Sequence, residues 1–263
     1  MAEIMFERFG FGHVYFQMQA LCALYAEGDM TGIVLDAGDG VSHCIPVYQG
    51  VPFYNQIKRL NVAGRHVTDY LNKLLLIRGY AFNSSADFET LREIKESMCY
   101  VAYDINRDRK LAQETTVVEK EYKLPDGSTI FVGRERFEAP ECLFKPHLLE
   151  KEDDGICEMV YKSLAECPLD CQRDLIANVC LSGGTTMFPG LSTRVEKELQ
   201  DIYVENKFKG DRGGLKRIKI FVKDPPRRKH GVFIGASFVG KHMPFESWVS
   251  KANYAEQGQQ ILF

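Results

Sequence analysis

The 263-residue sequence contains no apolar run of about 18 residues, the length a helix needs to cross a bilayer. Its first residues, Met-Ala-Glu-Ile-Met-Phe-Glu, lack the positive segment and small-residue cleavage site of a secretory leader, so a soluble, intracellular protein is expected. Tryptophan occurs once, and no Cys-x-x-Cys pair or neighbouring His cluster accompanies the eight cysteines. Those cysteines (22, 44, 99, 142, 157, 167, 171 and 180) sit in hydrophobic contexts such as Val179-Cys-Leu181, which favours buried thiols over zinc ligation or a disulfide framework. Net charge is only −3, hydrophobic residues make up 45% and charged residues 26%, a balance that excludes disordered and collagen-like chains. Neither an internal repeat nor a low-complexity tract is present.

Against these absences stand two apolar stretches that end in glycine corners. Gly32-Ile-Val-Leu-Asp36-Ala-Gly38-Asp39-Gly40-Val41-Ser-His43-Cys-Ile-Pro-Val-Tyr48 joins two β-type runs through Gly-Asp-Gly, which predicts a hairpin. Asn178-Val-Cys-Leu-Ser182-Gly183-Gly184-Thr185-Thr186 reads as a buried strand and glycine turn, and the helical spacing of Leu191, Val195, Leu199 and Ile202 follows it. Glycines let backbone N–H groups approach an anion, and Asp36 with Asp39 could hold Mg²⁺ or its waters. A plain turn satisfies each corner equally well.

Between the corners, residues 63–152 read as an inserted α+β unit. Ser84-Ser-Ala-Asp87 resembles a capping box opening a helix whose apolar stripe is Phe88, Leu91, Ile94, Met98 and Val101. Residues 115–122 and 129–132 flank Leu124-Pro-Asp126-Gly127 as a second hairpin. Lys95 and Glu96 are expected on a solvated face of the capped helix, and His43 and Gln19 carry no role by pattern alone.

Charge is unevenly spread. Residues 207–230 hold ten Lys or Arg against Asp211 and Asp224, a local net charge of +8 that leaves −11 on the rest. With only Phe208 and Phe221 among the cations, this reads as an exposed loop or protein-facing surface, with a strand at 218–222, rather than a nucleic-acid site. Gly235-Ala-Ser-Phe-Val-Gly240-Lys241-His242 nearly matches a phosphate-binding loop, but His replaces the metal-binding hydroxyl, and Val232, Phe233, Ala236, Val239 and Gly240 instead suit an apolar helix face.

Taken in order, Asp36-Ala-Gly-Asp-Gly-Val-Ser-His43, Ala63-Gly64-Arg65, Ile94-Lys95-Glu96, Leu181-Ser-Gly-Gly-Thr-Thr-Met187 and Pro225-Pro-Arg-Arg-Lys229 resemble the actin superfamily across essentially the whole chain. Residues 79–90, the basic loop from 207 to 219 and Pro225–His230 liken it to the actin-related proteins of the filament-branching assembly. The resemblance implies an α/β, actin-like ATPase fold shared with hexokinases and heat-shock ATPases. Residues 27–62 and 153–229 would form the core of the larger lobe, 63–152 its insertion, and 1–26 with 230–263 part of a smaller lobe.

It also implies ATP and Mg²⁺ as cofactors. Asp36 would hold the metal through water; Gly38, Asp39, Gly40 and Val41 would cradle phosphates; Gln19 and His43 would position hydrolytic water. Gly64, Lys95, Glu96, Gly183, Gly184, Thr185, Met187, Phe188 and Lys229 would line the adenosine pocket, Phe188 standing where the family usually has Tyr. Implied partners are actin-related protein 3, accessory subunits, actin filaments and nucleation-promoting factors, in the cytoplasmic cytoskeleton and cell projections, without nucleic acid or membrane insertion. A conventional actin-like filament subunit and an actin-fold phosphotransferase are the alternatives.

Family members start with a further strand and phosphate hairpin, and no second Asp-x-Gly hairpin precedes Asp36. The expectation is therefore an N-terminal third missing, ATP bound weakly or not at all and not appreciably hydrolysed by this chain alone, and exposed apolar surface near 4–16 and 233–238.

Overall fold

The computed structural model describes residues 1–82 and 84–262. Asn83, in the 79–90 segment, lies outside the described residues.

Among the described residues ten strands run in chain order as β1 (His13–Val14), β2 (Gly32–Ala37), β3 (Ser42–Tyr48), β4 (Val51–Pro52), β5 (Lys58–Leu60), β6 (Lys120–Lys123), β7 (Thr129–Val132), β8 (Val179–Ser182), β9 (Val222–Lys223) and β10 (Val249–Ser250). The α-helices are α1 (Gln19–Ala26), α2 (Gly64–Ile77), α3 (Ser85–Met98), α4 (Ile105–Glu114), α5 (Glu135–Glu138), α6 (Ile156–Ala165), α7 (Leu169–Ile176), α8 (Leu191–Asn206), α9 (Gly231–His242) and α10 (Lys251–Gln257). The main sheet has the order β4-β3-β2-β8-β9, with β5 also on β3. It is mixed: β2 is antiparallel to β3 and parallel to β8, which is parallel to β9.

Strand periodicity decides where the core lies. Successive side chains point to opposite faces, so Ile33, Leu35, Val179 and Leu181 join the large apolar cluster. Val34, Ile45, Val47 and Cys180 face the other way, onto Ala20, Leu21, Ala23 and Leu24 of α1. Because both faces are covered, these strands read as continuous apolar runs rather than alternating ones. The large cluster extends without a break through Val67, Leu71 and Leu75 of α2 and Leu91, Ile94 and Met98 of α3, so residues 63–152 share the core of the sheet.

The first predicted hairpin is β2 and β3, in the register Asp36↔His43 and Ala37↔Ser42. The predicted strand and helix beyond Asn178 are β8 and α8. Ser84 caps α3, accepting from Asp87 N while the Asp87 carboxylate accepts from Ser84 N.

Four local expectations are corrected. Residues 115–119 are not strand: Thr115 closes α4, its N–H and hydroxyl both donating to the Leu111 carbonyl, and β6 starts only at Lys120. The strand expected over 218–222 is Val222–Lys223, since β8 begins at Val179 and offers a ladder only there. Phe88 is 38% exposed, and Val101, although buried, follows the end of α3 with its N–H donating to the Pro189 carbonyl. Lys95 is buried and faces inward, as described below.

All eight cysteines are free thiols, seven of them buried. Among the described residues no helix is long and apolar enough to cross a membrane. The segment Gly235–His242 lies within α9, where a Cβ on Gly235 would overlap the Cys22 carbonyl. The missing side chain there serves a helix crossing, not a phosphate.

Candidate functional site

The two glycine corners meet at the ends of β2 and β8. At the first, Gly38 N donates to the Val41 carbonyl and closes the turn. At the second, Gly183 has φ +91, a conformation that L side chains rarely adopt, and a Cβ there would overlap the Ala37 carbonyl. Thr185 Oγ1 donates to the Gly38 carbonyl at 2.6 Å, joining residues 147 apart in sequence.

A third element completes the junction. The N-terminus of α2 docks on the hairpin turn: Gly64 N donates to Gly38 O (3.1 Å), and Arg65 N to Asp39 O (2.8 Å). The Arg65 guanidinium grips the Asp39 carboxylate through two bonds of 2.7 and 3.0 Å, an exposed pair. From α3, Lys95 Nζ reaches the Gly64 carbonyl at 3.2 Å. Burial lowers the Lys95 pKa, with Glu96 and Asp39 acting in the opposite direction.

These elements enclose a cavity of about 410 Å³ lined by Gly38, Asp39, Gly64, Arg92, Lys95, Glu96, Gly184, Thr185, Met187, Phe188 and Lys229. Its size suits a small molecule. Its lining brings three cationic side chains, two carboxylates (Asp39, held by Arg65, and Glu96, 3.5 Å from Arg92) and two glycine turns to one space, beside the apolar surface of Met187 and Phe188.

Ten of the residues predicted from sequence thus line one cavity. Four others, Asp36, Gly40, Val41 and Gly183, belong to the same corners but are not among its lining residues. Asp36 lies directly behind the turn, across the ladder from His43 and in register with Ser182. Burial raises its pKa, while Ser182 and His43 favour its charged form. Ser182 Oγ is buried without a geometrically satisfactory partner, so its contact to Asp36 is a weak one. Gln19 opens α1, and no hydrogen bond joins it to His43 among the described residues.

Three contributors were not singled out as site residues, although Arg65 and Arg228 lie inside motifs that carry the resemblance. Arg92 lies one turn before Lys95 on α3, a spacing that helical periodicity could have supplied. Arg65 becomes relevant only because α2 meets the turn. Arg228, buried in the basic segment, donates to the Thr186 carbonyl at 2.9 Å and accepts Gly183 N at its own carbonyl, bracing the second corner.

Among the described residues no three His, Cys, Asp or Glu side chains converge as a metal cluster. A hydrated Mg²⁺ needs none: it keeps several waters and is held by one or two carboxylates with substrate phosphates. The Asp36 carboxylate at the end of β2 suits an ion of that kind, held through water.

A mixed sheet whose strand ends carry two converging glycine turns places the chain among the α/β proteins with a cleft at the ends of their strands. The sequence profile of the family described as Actin matches residues 1–262, and the chain belongs to the actin family. Over 265 aligned positions it is 49% identical to actin-related protein 2 of Arabidopsis thaliana, covering 100% of this chain and 68% of that protein. The corresponding protein of Acanthamoeba castellanii is 47% identical with the same coverage, and that of Oryza sativa subsp. indica 48%.

Proposed function

We propose that this chain is an ATP-binding subunit of the actin-related protein 2 type, nucleating branched actin filaments with actin-related protein 3 and accessory subunits. One observation carries the reading: the Thr185-to-Gly38 bond and the docking of Gly64 bring both glycine corners and Lys95 to a single cavity. The similarity to proteins named actin-related protein 2 supplies the choice within the family. Actin filaments and nucleation-promoting factors are the remaining partners, and the cytoplasmic cytoskeleton, extending into cell projections, is the setting.

In this reading the backbone of residues 38–41 receives the terminal phosphates, and the Lys95 ammonium faces the same space. Gly64, Glu96, Gly183, Gly184, Thr185, Met187, Phe188 and Lys229 surround the nucleoside, with Phe188 packing against it and offering no hydroxyl. Asp36 would hold the metal through its water molecules, for which its carboxyl must be ionised; Ser182 and His43 favour that form. Mg²⁺, when bound, neutralises phosphate charge. Gln19 and His43 take the water-positioning role by resemblance alone.

Native isolation of the tagged chain from its own cells tests the assignment. Equimolar recovery of actin-related protein 3 with accessory subunits is expected. Homopolymers without that partner, or phosphoryl transfer to a small molecule, would replace it by a filament subunit or a phosphotransferase respectively.

A further inference from the structure

His66 is the third residue of α2, and both its ring nitrogens face hydrogen-bond donors. Ala63 N lies 3.2 Å from Nδ1, and Lys151 Nζ lies 3.3 Å from Nε2. A neutral imidazole can accept at only one nitrogen. The backbone N–H of Ala63 is fixed and takes Nδ1, so Nε2 carries the proton and Lys151 directs its ammonium at the Asn61 carbonyl, 2.6 Å away. An imidazolium accepts at neither nitrogen.

Its charged surroundings sharpen the difference. Arg65 and Asp69 share its helix, Lys151 approaches from the segment before α6, and Asp39 faces it from the hairpin turn. The Asp39 carboxylate is already engaged by Arg65. Protonation would add a cation beside Lys151, at the helix end whose dipole is already positive. Burial first, then Lys151, push the imidazole below its ordinary pKa.

The residues this ring holds are those that meet the cleft. Ala63 is the cap of α2, Gly64 N and Arg65 N bond the carbonyls of Gly38 and Asp39, and the Gly64 carbonyl receives Lys95. We propose that His66 is a pH-responsive positioning residue: neutral, it pins the start of α2 against the 38–41 turn; protonated, it releases Ala63 and loosens that turn. The consequence for ligand binding rests on the nucleotide reading above.

Amide exchange of the intact chain tests this without any ligand. The wild type is compared with His66→Gln, whose carbonyl accepts from Ala63 N and does not titrate, at matched pH between about 8 and about 5 so that intrinsic exchange cancels. Residues 62–68 of the wild type should lose protection roughly tenfold on the acid side while the variant holds. Affinity for a fluorescent ATP analogue should weaken in parallel in the wild type alone.

Equal loss in both proteins, or none in the wild type, overturns the inference, and a protection change that leaves measurable affinity unaltered overturns its link to the cleft. An analogue that binds at no pH, with the protection change intact, leaves the latch standing and removes its consequence for ligand binding by this chain. Should His66→Gln not fold, NMR titration of the wild type decides. Amide shifts of Ala63, Gly64 and Gly38 that follow the His66 ring support the proposal, and shifts that do not move with it refute it.

Discussion

At Gly64 an added methyl would lie 2.6 Å from Thr185 Oγ1 and 3.3 Å from the Gly38 carbonyl, so one carbon would disturb all three elements of the junction. Gly64→Ala is therefore expected to lower stability by about 1–3 kcal/mol, the usual cost of overpacking, read from the urea midpoint. Thr185→Val keeps the volume and removes the 2.6 Å bond; a loss of about 1 kcal/mol is expected. The double variant should cost less than the two singles together, because both act on Gly38. His66 sets a pH dependence of its own. With its folded pKa below the ordinary value, the unfolded chain takes up a proton on acidification before the folded one does. Stability should thus fall relative to His66→Gln as pH drops below about 6.5 and level off below the folded pKa; a pH-independent difference would exclude this linkage.

Elements are joined by interactions of a different kind. The Arg194 guanidinium of α8 is buried against Glu141, with N···O 3.0 Å, and donates to the Ala102 carbonyl at 2.7 Å, stitching the C-terminal half of the core to the insertion. Removing one member of a buried pair leaves the other charge uncompensated. Arg194→Met is expected to cost about 3–5 kcal/mol in chemical denaturation, with lost protection of residues 139–143 as its local signature. At this scale the sequence was legible where periodicity and caps agree: β2 and β3, β8, α8 and the Ser84 cap all follow from local pattern. It was illegible where a tertiary neighbour ended an element early. β9 is two residues long because β8 starts opposite it, and residues 115–119 turn because Thr115 caps the preceding helix. Lys95 shows the same limit, since a cation on a helix flank reads as solvated until a cavity is built around it.

Across the whole molecule, exposed aromatic and aliphatic side chains are concentrated toward both ends of the chain. Phe9 is 62% exposed, Phe233 76% and Phe238 51%, while the strands β1 and β10 pair and the Phe6 ring packs, tilted by 34°, against Tyr254. The surface near 4–16 and 233–238 is apolar as expected from the sequence, and patches of this kind attract partners or dye. Purified alone, the chain should bind a hydrophobic dye and self-associate with rising concentration. Phe233→Ser with Phe238→Ser should reduce both signals without changing the far-UV circular dichroism.

What the sequence determined by itself is local and periodic: apolar runs broken by Gly-Asp-Gly and Ser-Gly-Gly-Thr, the family those motifs resemble, and the residues able to meet an anion. Only the folded chain decided which of them share a space. Gly38 and Thr185 come into contact because β2 and β8 lie parallel and end together, and Arg92 and Lys95 of α3 join them with Lys229 from the segment after β9. Spacing along a chain encodes torsion preferences and faces, whereas the convergence of distant carbonyls, ammonium groups and ring nitrogens, His66 among them, depends on how those faces pack.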